Sequence, residues 1–121
     1  MGHVHQDVTI SAEGEREVSM FVDTGATFSV LPGTLADELG VRRLGRTYRI
    51  QLADGSPIEM DVGTVIFKVL DRTAPSTVLI GDVPEPILGV ETLEALGLTV
   101  DPSAGKLVPK RAYSVRLGGI R

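Results

Sequence analysis

The chain has 121 residues, of which 42% are hydrophobic and only 4% aromatic, with no tryptophan. This length predicts a single domain, residues 1–121, and the composition predicts an aliphatic core of the kind that favours strands. The net charge of −4 does not suit a phosphate-binding surface, so nucleic acid is not an expected partner. The absence of cysteine excludes disulfides, thiol catalysis and cysteine-ligated zinc.

The N-terminal sequence gives no sign of export. Residues 1–7 lack the basic and apolar regions of a signal peptide, and no run approaches the ~18 apolar residues of a membrane span. A cysteine-free chain also suits a reducing compartment. We therefore expect a soluble, cytoplasmic protein with no membrane partner.

The first part of the chain is predicted to be a hairpin. Residues 4–10 form the first strand, residues 12–15 the turn, and Glu17–Val22 the returning strand. The second strand leads directly into the tetrapeptide Asp23-Thr24-Gly25-Ala26, where Gly25 allows a sharp turn with close backbone approach. The hairpin therefore delivers a carboxylate to a strand end.

A short helix is predicted after this loop. Thr34 and Asp37 have the spacing of a capping box, Leu35 and Leu39 share one helical face, and Gly40 can end the helix. A basic linker with three arginines follows at Arg42, Arg43 and Arg46.

The strongest hairpin signal lies between residues 48 and 62. Apolar and polar residues alternate on both sides of the Asp54-Gly55 pair, which is typical of a tight turn between two strands. A hairpin with one polar face can project from the body of a domain. An ordinary surface hairpin has the same pattern, and the residues alone do not separate the two.

Core strands are predicted downstream of this hairpin. The apolar segments 64–70 and 78–80 are interpreted as strands, with residues 71–76 as the loop between them. A further apolar segment, Ile87-Leu88-Gly89, precedes a helical pattern.

The C-terminal part begins with a second short helix. Leu93 and Leu96 line one side of it, and the following glycine can end it. Residues 98–100 and 106–108 then predict a hairpin. The pattern of the segment 109–121 fits a C-terminal strand, a partner-binding tail or a disordered end.

Two of these segments together resemble a known family. Asp23-Thr24-Gly25-Ala26 after an apolar strand, and Ile87-Leu88-Gly89 before a helix, resemble the retroviral-type aspartic peptidases, or retropepsins, and more closely their single-domain cellular and prokaryotic relatives. The resemblance covers about residues 4–108. It implies an all-β fold with one or two short helices, a half-barrel that homodimerisation closes, and an aspartic endopeptidase acting on extended peptides.

The implied chemistry needs two carboxylates. Aspartic peptidases use two adjacent carboxylates that share one proton. The chain contains no second Asp-Thr-Gly or Asp-Ser-Gly, so the resemblance implies that a second copy completes the site. The ionised carboxylate takes a proton from water, and the protonated one donates a hydrogen bond to the peptide carbonyl. No metal and no other cofactor are expected.

The resemblance also assigns roles residue by residue. Asp23 is the catalytic residue, and the hydroxyl of Thr24 braces the pair of carboxylates. Gly25 permits close approach, and Ala26 continues the cleft wall. The residues that pack behind this loop are Ile87, Leu88 and Gly89. The hairpin over residues 48–62 is the flap over bound peptide, and its tip residues are Ala53, Asp54, Gly55 and Ser56.

Some positions depart from the viral pattern. Asp54 and Ser56 are polar where the viral flap tip is apolar and rich in glycine. Gly89 is followed by Val90 and Glu91, without the arginine that forms an interface salt bridge in the viral enzymes.

The same residues have two other interpretations, a non-catalytic module and a metal site. The chain could be a non-catalytic peptide-binding or dimerisation module on the same fold, with Asp23 capping local N–H groups. His3, His5 and Asp7 share one strand face, but two histidines and a carboxylate near a terminus are a weak metal pattern.

Overall fold

The computed structural model describes residues 3–51 and 54–110. Within these ranges the chain is mostly β-structure with two short helices, as the sequence predicted. The elements in chain order are β1 (His5–Ser11), β2 (Glu15–Val22), β3 (Ser29–Pro32), α1 (Gly33–Leu39), β4 (Arg43–Gln51), β5 (Pro57–Val69), β6 (Arg72–Gly81), β7 (Ile87–Leu88), α2 (Val90–Leu96), β8 (Leu98–Asp101) and β9 (Lys106–Pro109).

One curved sheet contains seven of these strands in the order β1-β2-β7-β3-β6-β5-β4. Strand β1 also pairs with β5 through Thr9–Ser11 and residues 66–68, so the sheet folds back on itself. Strand β7 lies between β2, to which it is parallel, and β3, to which it is antiparallel. This arrangement brings residues 87–88 beside the end of β2, more than 60 positions earlier in the chain.

The core is aliphatic, as the composition predicted. Alternate residues of β1 and β2 point inward, including Ile10 and Met20, which are both fully buried. Phe67 on β5 is the largest fully buried side chain. From α1, Leu35 and Leu39 enter the same cluster, which confirms the predicted apolar face of that helix.

The C-terminal ends of both helices were predicted correctly, whereas the N-terminal end of α1 was not. Gly40 and Gly97 both adopt left-handed conformations, with φ of 69° and 71°, and end α1 and α2. The predicted capping box of Thr34 and Asp37 is wrong. The helix begins at Gly33, and its N-cap residue is Pro32, with no side-chain cap. Thr34 therefore lies inside the first turn, two positions after the residue whose side chain could cap the helix.

Two predicted connections are wrong because the strands are longer than expected. The segment 71–76 is not a loop, since β6 begins at Arg72 and pairs with β5 from Arg72 to Ile80. Pro75 fits there because β3 pairs only with residues 78–81, and the Pro75 stretch is bonded by β5 alone. The prediction of a basic linker is also wrong in part, because β4 begins at Arg43 and therefore contains Arg43 and Arg46.

The predicted C-terminal hairpin is confirmed. Strands β8 and β9 form a separate two-stranded sheet in which Val100 pairs with Leu107. The proposed strand or tail beyond Pro109 falls almost wholly on residues 111–121, which lie outside the described ranges. The extent of the domain remains a prediction. In the described part of the chain, no helix combines the length and apolar character needed to cross a membrane.

Candidate active site

The loop that carries Asp23 is held by backbone pairing at the end of β2. Phe21 and Val22 pair with Ile87 and Leu88, and the N–H of Asp23 donates to the carbonyl of Leu88 over 3.0 Å. Because β7 is paired on its other side with β3, both ends of the loop are attached to the same short strand. The position of Asp23 therefore depends on contacts between distant parts of the chain.

The carboxyl group of Asp23 is partly engaged by its own loop. Its Oδ1 accepts a hydrogen bond of 2.9 Å from the N–H of Gly25. The backbone carbonyl of Asp23 accepts a separate bond of 3.1 Å from the N–H of Ala26. The other carboxyl oxygen accepts no hydrogen bond from any residue in the ranges 3–51 and 54–110. Asp23 is half-buried, while Thr24 and Gly25 are exposed. One oxygen of the carboxyl is thus open to water or to a second chain.

Gly89 lies against the backbone of the loop. A Cβ at this position would lie 2.5 Å from the carbonyl oxygen of Phe28 and 2.9 Å from that of Ala26, closer than any side-chain carbon can approach. The next two N–H groups, of Val90 and Glu91, donate to the carbonyls of Ala26 and Thr27. The start of α2 therefore satisfies the loop carbonyls, and only glycine fits at the contact.

A row of three hydroxyls, two of them on fully buried residues, lies behind the loop. The N–H of Gly89 donates to Ser29 Oγ over 2.9 Å, and Ser29 Oγ lies 2.6 Å from Thr92 Oγ1. Thr92 Oγ1 lies 2.9 Å from Ser76 Oγ. Ser29 and Thr92 are fully buried, so these bonds connect β3, α2 and β6. No sequence pattern anticipated this network, because its members are far apart in the chain.

A groove of about 520 Å³ opens beside Asp23. One wall is the loop from Asp23 to Phe28, and another is the segment 48–51 of β4. The rings of Phe28 and Tyr48 meet edge to face, with centroids 5.1 Å apart. The apolar part of the lining consists of Val30, Met60, Leu79, Val83 and Ile87. Since β4 is an outer strand of the sheet, one backbone edge of it has no strand partner in the described part of the chain.

The predicted site residues separate into three groups. Those that line the groove are Asp23, Gly25, Ala26 and Ile87. Leu88 and Gly89 are buried behind the loop. Thr24 borders a different recess, which it shares with His3, Phe21 and Val100.

The hairpin predicted over residues 48–62 is present, with Tyr48 opposite Met60 and Gln51 opposite Pro57. Its tip residues Asp54, Gly55 and Ser56 are exposed and do not line the groove. Ala53 lies outside the described residues. The first strand of the hairpin lines the groove instead, through four consecutive residues: Tyr48, Arg49, Ile50 and Gln51. The alternating pattern identified this hairpin, whereas the resemblance assigned substrate-binding residues only to its tip.

The carboxylate at the hairpin tip is bound locally. Asp54 Oδ1 accepts hydrogen bonds from the hydroxyl of Ser56 over 2.6 Å and from its N–H over 2.9 Å. These two bonds, the hydroxyl first, hold the pKa of Asp54 below its ordinary value of 3.8. The negative charge at the tip is therefore stabilised by the turn itself.

The two N-terminal histidines pack on an aromatic ring. The rings of His3 and His5 lie 5.3 and 5.6 Å from that of Phe21, and His5 Nε2 is 3.2 Å from Glu85 Oε1. Over residues 3–51 and 54–110, no three His, Asp or Glu side chains are grouped as metal ligands.

The fold is that of the retropepsin-like aspartic proteases. A family model described as "gag-polyprotein putative aspartyl protease" matches residues 8–95. The chain belongs to this family of retroviral-type aspartyl proteases.

Comparison with solved structures agrees with this assignment. The chain is similar to EIAV protease complexed with the inhibitor HBY-793, with 28% sequence identity and a TM-score of 0.66. The match covers 83% of this chain and 93% of that chain. A search of the curated proteins found no match.

Proposed function

We propose that this chain is an aspartic endopeptidase whose active site forms between two copies, each contributing Asp23. The observation that carries the proposal is the position of Asp23. It sits on the characteristic loop, at the wall of a groove, with one carboxyl oxygen left open. A single carboxylate of this kind per chain is half of the pair that the chemistry needs, so a twofold homodimer is the simplest complete enzyme.

In the proposed mechanism the two Asp23 carboxyls share one proton. The ionised carboxylate accepts a proton from a bound water, whose oxygen attacks the peptide carbonyl carbon. The protonated carboxyl donates a hydrogen bond to the carbonyl oxygen, on which negative charge develops. Since one group must be ionised and the other protonated, the rate should fall on both sides of an optimum pH.

The supporting roles follow from the surroundings of Asp23. Exposed Thr24 is available to hydrogen-bond across the dimer, and the close contact at Gly89 holds the loop in place. An extended peptide can pair with the free edge of β4, while the apolar lining accepts apolar side chains next to the scissile bond. The hairpin over residues 48–62 acts as the flap. A cytoplasmic location remains a prediction from the sequence.

A second candidate function has one observation in its favour. The bond from Gly25 N–H to Asp23 Oδ1 is a local capping contact, which a purely structural aspartate also makes. On that view the chain is a peptide-binding or dimerisation module on the same fold. The two functions differ in a single property, peptide hydrolysis.

The first experiment compares wild type with Asp23→Asn on a peptide library. We expect the substitution to reduce cleavage at least about a hundredfold, because it removes the general base, while circular dichroism shows an unchanged fold. The control is Asp71→Asn, which changes an exposed aspartate that does not line the groove. Wild-type cleavage rates in the Asp23→Asn variant would exclude the mechanism.

The second experiment tests whether the site is shared between chains. Wild type and Asp23→Asn are mixed in equal amounts at constant total concentration and allowed to exchange subunits. If both carboxylates are needed, only the wild-type homodimer works, and activity falls to about one quarter of that of wild type alone. If each chain works alone, activity falls to about one half, and that result would refute the shared site.

A further inference from the structure

Two aromatic side chains meet in the groove beside Asp23. Phe28 belongs to the loop that forms one wall, and Tyr48 belongs to β4, which forms another. Their rings lie edge to face, with centroids 5.1 Å apart. The whole chain has only three phenylalanines and two tyrosines. A protein with few aromatic residues therefore places two of them together at its candidate active site.

The contacts of Tyr48 place its side chain on the groove side of β4. Its ring touches that of Phe28. Phe28 in turn packs against an apolar cluster that lines the groove and consists of Val30, Met60 and Leu79. Side chains alternate along a strand, so Tyr48 and Ile50 share one face of β4, and Ile50 packs against the same cluster. Both observations put the Tyr48 ring over the groove.

The ring of Tyr48 stays accessible to a ligand in spite of this contact. Its exposed fraction is 46%, although it borders a groove of about 520 Å³. The other phenylalanines are used differently, since Phe67 is fully buried and Phe21 packs on the rings of His3 and His5. The pair formed by Phe28 and Tyr48 is thus an aromatic surface in the groove that the proposed mechanism does not use.

We propose that Phe28 and Tyr48 form a subsite that selects an aromatic side chain of the bound peptide over an aliphatic side chain of the same size. This inference rests on the proposed function, whose groove it uses. Aromatic rings attract one another when the electron-poor edge of one lies against the electron-rich face of another. A peptide ring that joins the pair makes a further contact of this kind, whereas an aliphatic side chain contributes only its apolar surface.

The position of Tyr48 on a strand also predicts the pattern of the peptide. A peptide paired with the edge of β4 alternates its side chains between the same two faces as the strand. The selected aromatic residue therefore lies on the face of Tyr48, and its immediate neighbours point away from the pair. In a twofold dimer the preference appears at equal distances on both sides of the scissile bond.

The experiment compares phenylalanine with cyclohexylalanine in the same peptide. The two side chains share one carbon skeleton, but the cyclohexyl ring has no π-electrons and is at least as apolar. The probe is a fluorescein-labelled octapeptide of alternating valine and serine, in which each residue in turn is replaced by phenylalanine or by cyclohexylalanine. Binding is measured by fluorescence anisotropy to the Asp23→Asn protein, which does not cleave the probe under the proposed mechanism.

We expect phenylalanine to bind about threefold more tightly than cyclohexylalanine at the selective position and its twofold counterpart, as for one added aromatic contact. Tyr48→Leu should lower this ratio to about one. Because Tyr48 is exposed, the substitution leaves the core intact. Tyr48→Phe keeps the ring and should keep the ratio. The control is Thr47→Ala, which changes the adjacent residue of β4, one that does not line the groove, and it should also keep the ratio.

Several results would overturn the inference. These are equal binding of the two peptides at every position, a ratio that survives Tyr48→Leu, a ratio lost in Thr47→Ala, and no binding of any peptide. Because the readout is binding, it is independent of catalysis. A chain that prefers the aromatic peptide but cleaves none would support the subsite and refute the proposed enzyme, while cleavage without the preference would do the reverse.

Discussion

The hydrogen-bonded hydroxyls behind the Asp23 loop allow a sharp test of the structure through Thr92→Val. Valine has nearly the shape of threonine, so the substitution removes the hydroxyl without opening a cavity. The hydroxyls can donate in one direction, from Ser29 to Thr92, from Thr92 to Ser76 and from Ser76 to the carbonyl of Thr77. Removing the middle one breaks two bonds and leaves the Ser29 proton without an acceptor in a fully buried position.

The expected loss in free energy of unfolding depends on which of the two broken hydrogen bonds water can replace. Ser76 is half-buried, so water can replace its lost donor at little cost. Ser29 is fully buried, and an unsatisfied buried hydroxyl costs about 1–3 kcal/mol. We therefore expect Thr92→Val to lower the free energy of unfolding by about 2 kcal/mol. With a urea m-value of about 2 kcal/mol/M for a chain of this size, the midpoint should fall by about 1 M.

Urea denaturation followed by circular dichroism measures this change. The control is Thr99→Val, which makes the same chemical change at an exposed position on β8 and should stay within about 0.5 kcal/mol of wild type. Ser29→Ala and the double variant complete a cycle. Coupling of at least about 0.5 kcal/mol is expected between residues in one network. Additive effects, or a cost of Thr92→Val no larger than that of the control, would refute the hydrogen-bonded row.

Two further predictions concern the loop and the flap tip. Gly89→Ala places a Cβ 2.5 Å from the carbonyl oxygen of Phe28 and should destabilise the fold by about 1–3 kcal/mol. In the control, Gly14→Ala, the nearest atom to the new Cβ is 3.8 Å away. Equal melting temperatures of the two variants would contradict the close contact at Gly89. Because the pKa of Asp54 is depressed, its bonds to Ser56 stabilise the tip above the ordinary pKa and are lost as pH falls through the folded pKa. Ser56→Ala should raise the pKa of Asp54 towards 3.8 in an NMR titration, and an unchanged pKa would count against the turn.

Short-range patterns determined much of this protein. The Asp54-Gly55 pair identified the hairpin over residues 48–62, and Gly40 and Gly97 marked the C-terminal ends of α1 and α2. Turns and C-terminal caps can be predicted in this way because they depend on the conformations of a few adjacent residues. The tetrapeptide beginning at Asp23 predicted a sharp turn at the end of β2 for the same reason. The wrong predictions, the capping box at Thr34 and the loop over residues 71–76, were also based on short segments, without the strands that become their neighbours.

Contacts across the chain decided the rest. Strand β7 has only two residues, yet its insertion between β2 and β3 positions the Asp23 loop and forces glycine at position 89. Ser29 and Thr92 have ordinary sequence surroundings, and only folding buries their hydroxyls against each other. Such features depend on which strands become neighbours, and strand order follows from burying the whole apolar surface at once rather than from any short segment.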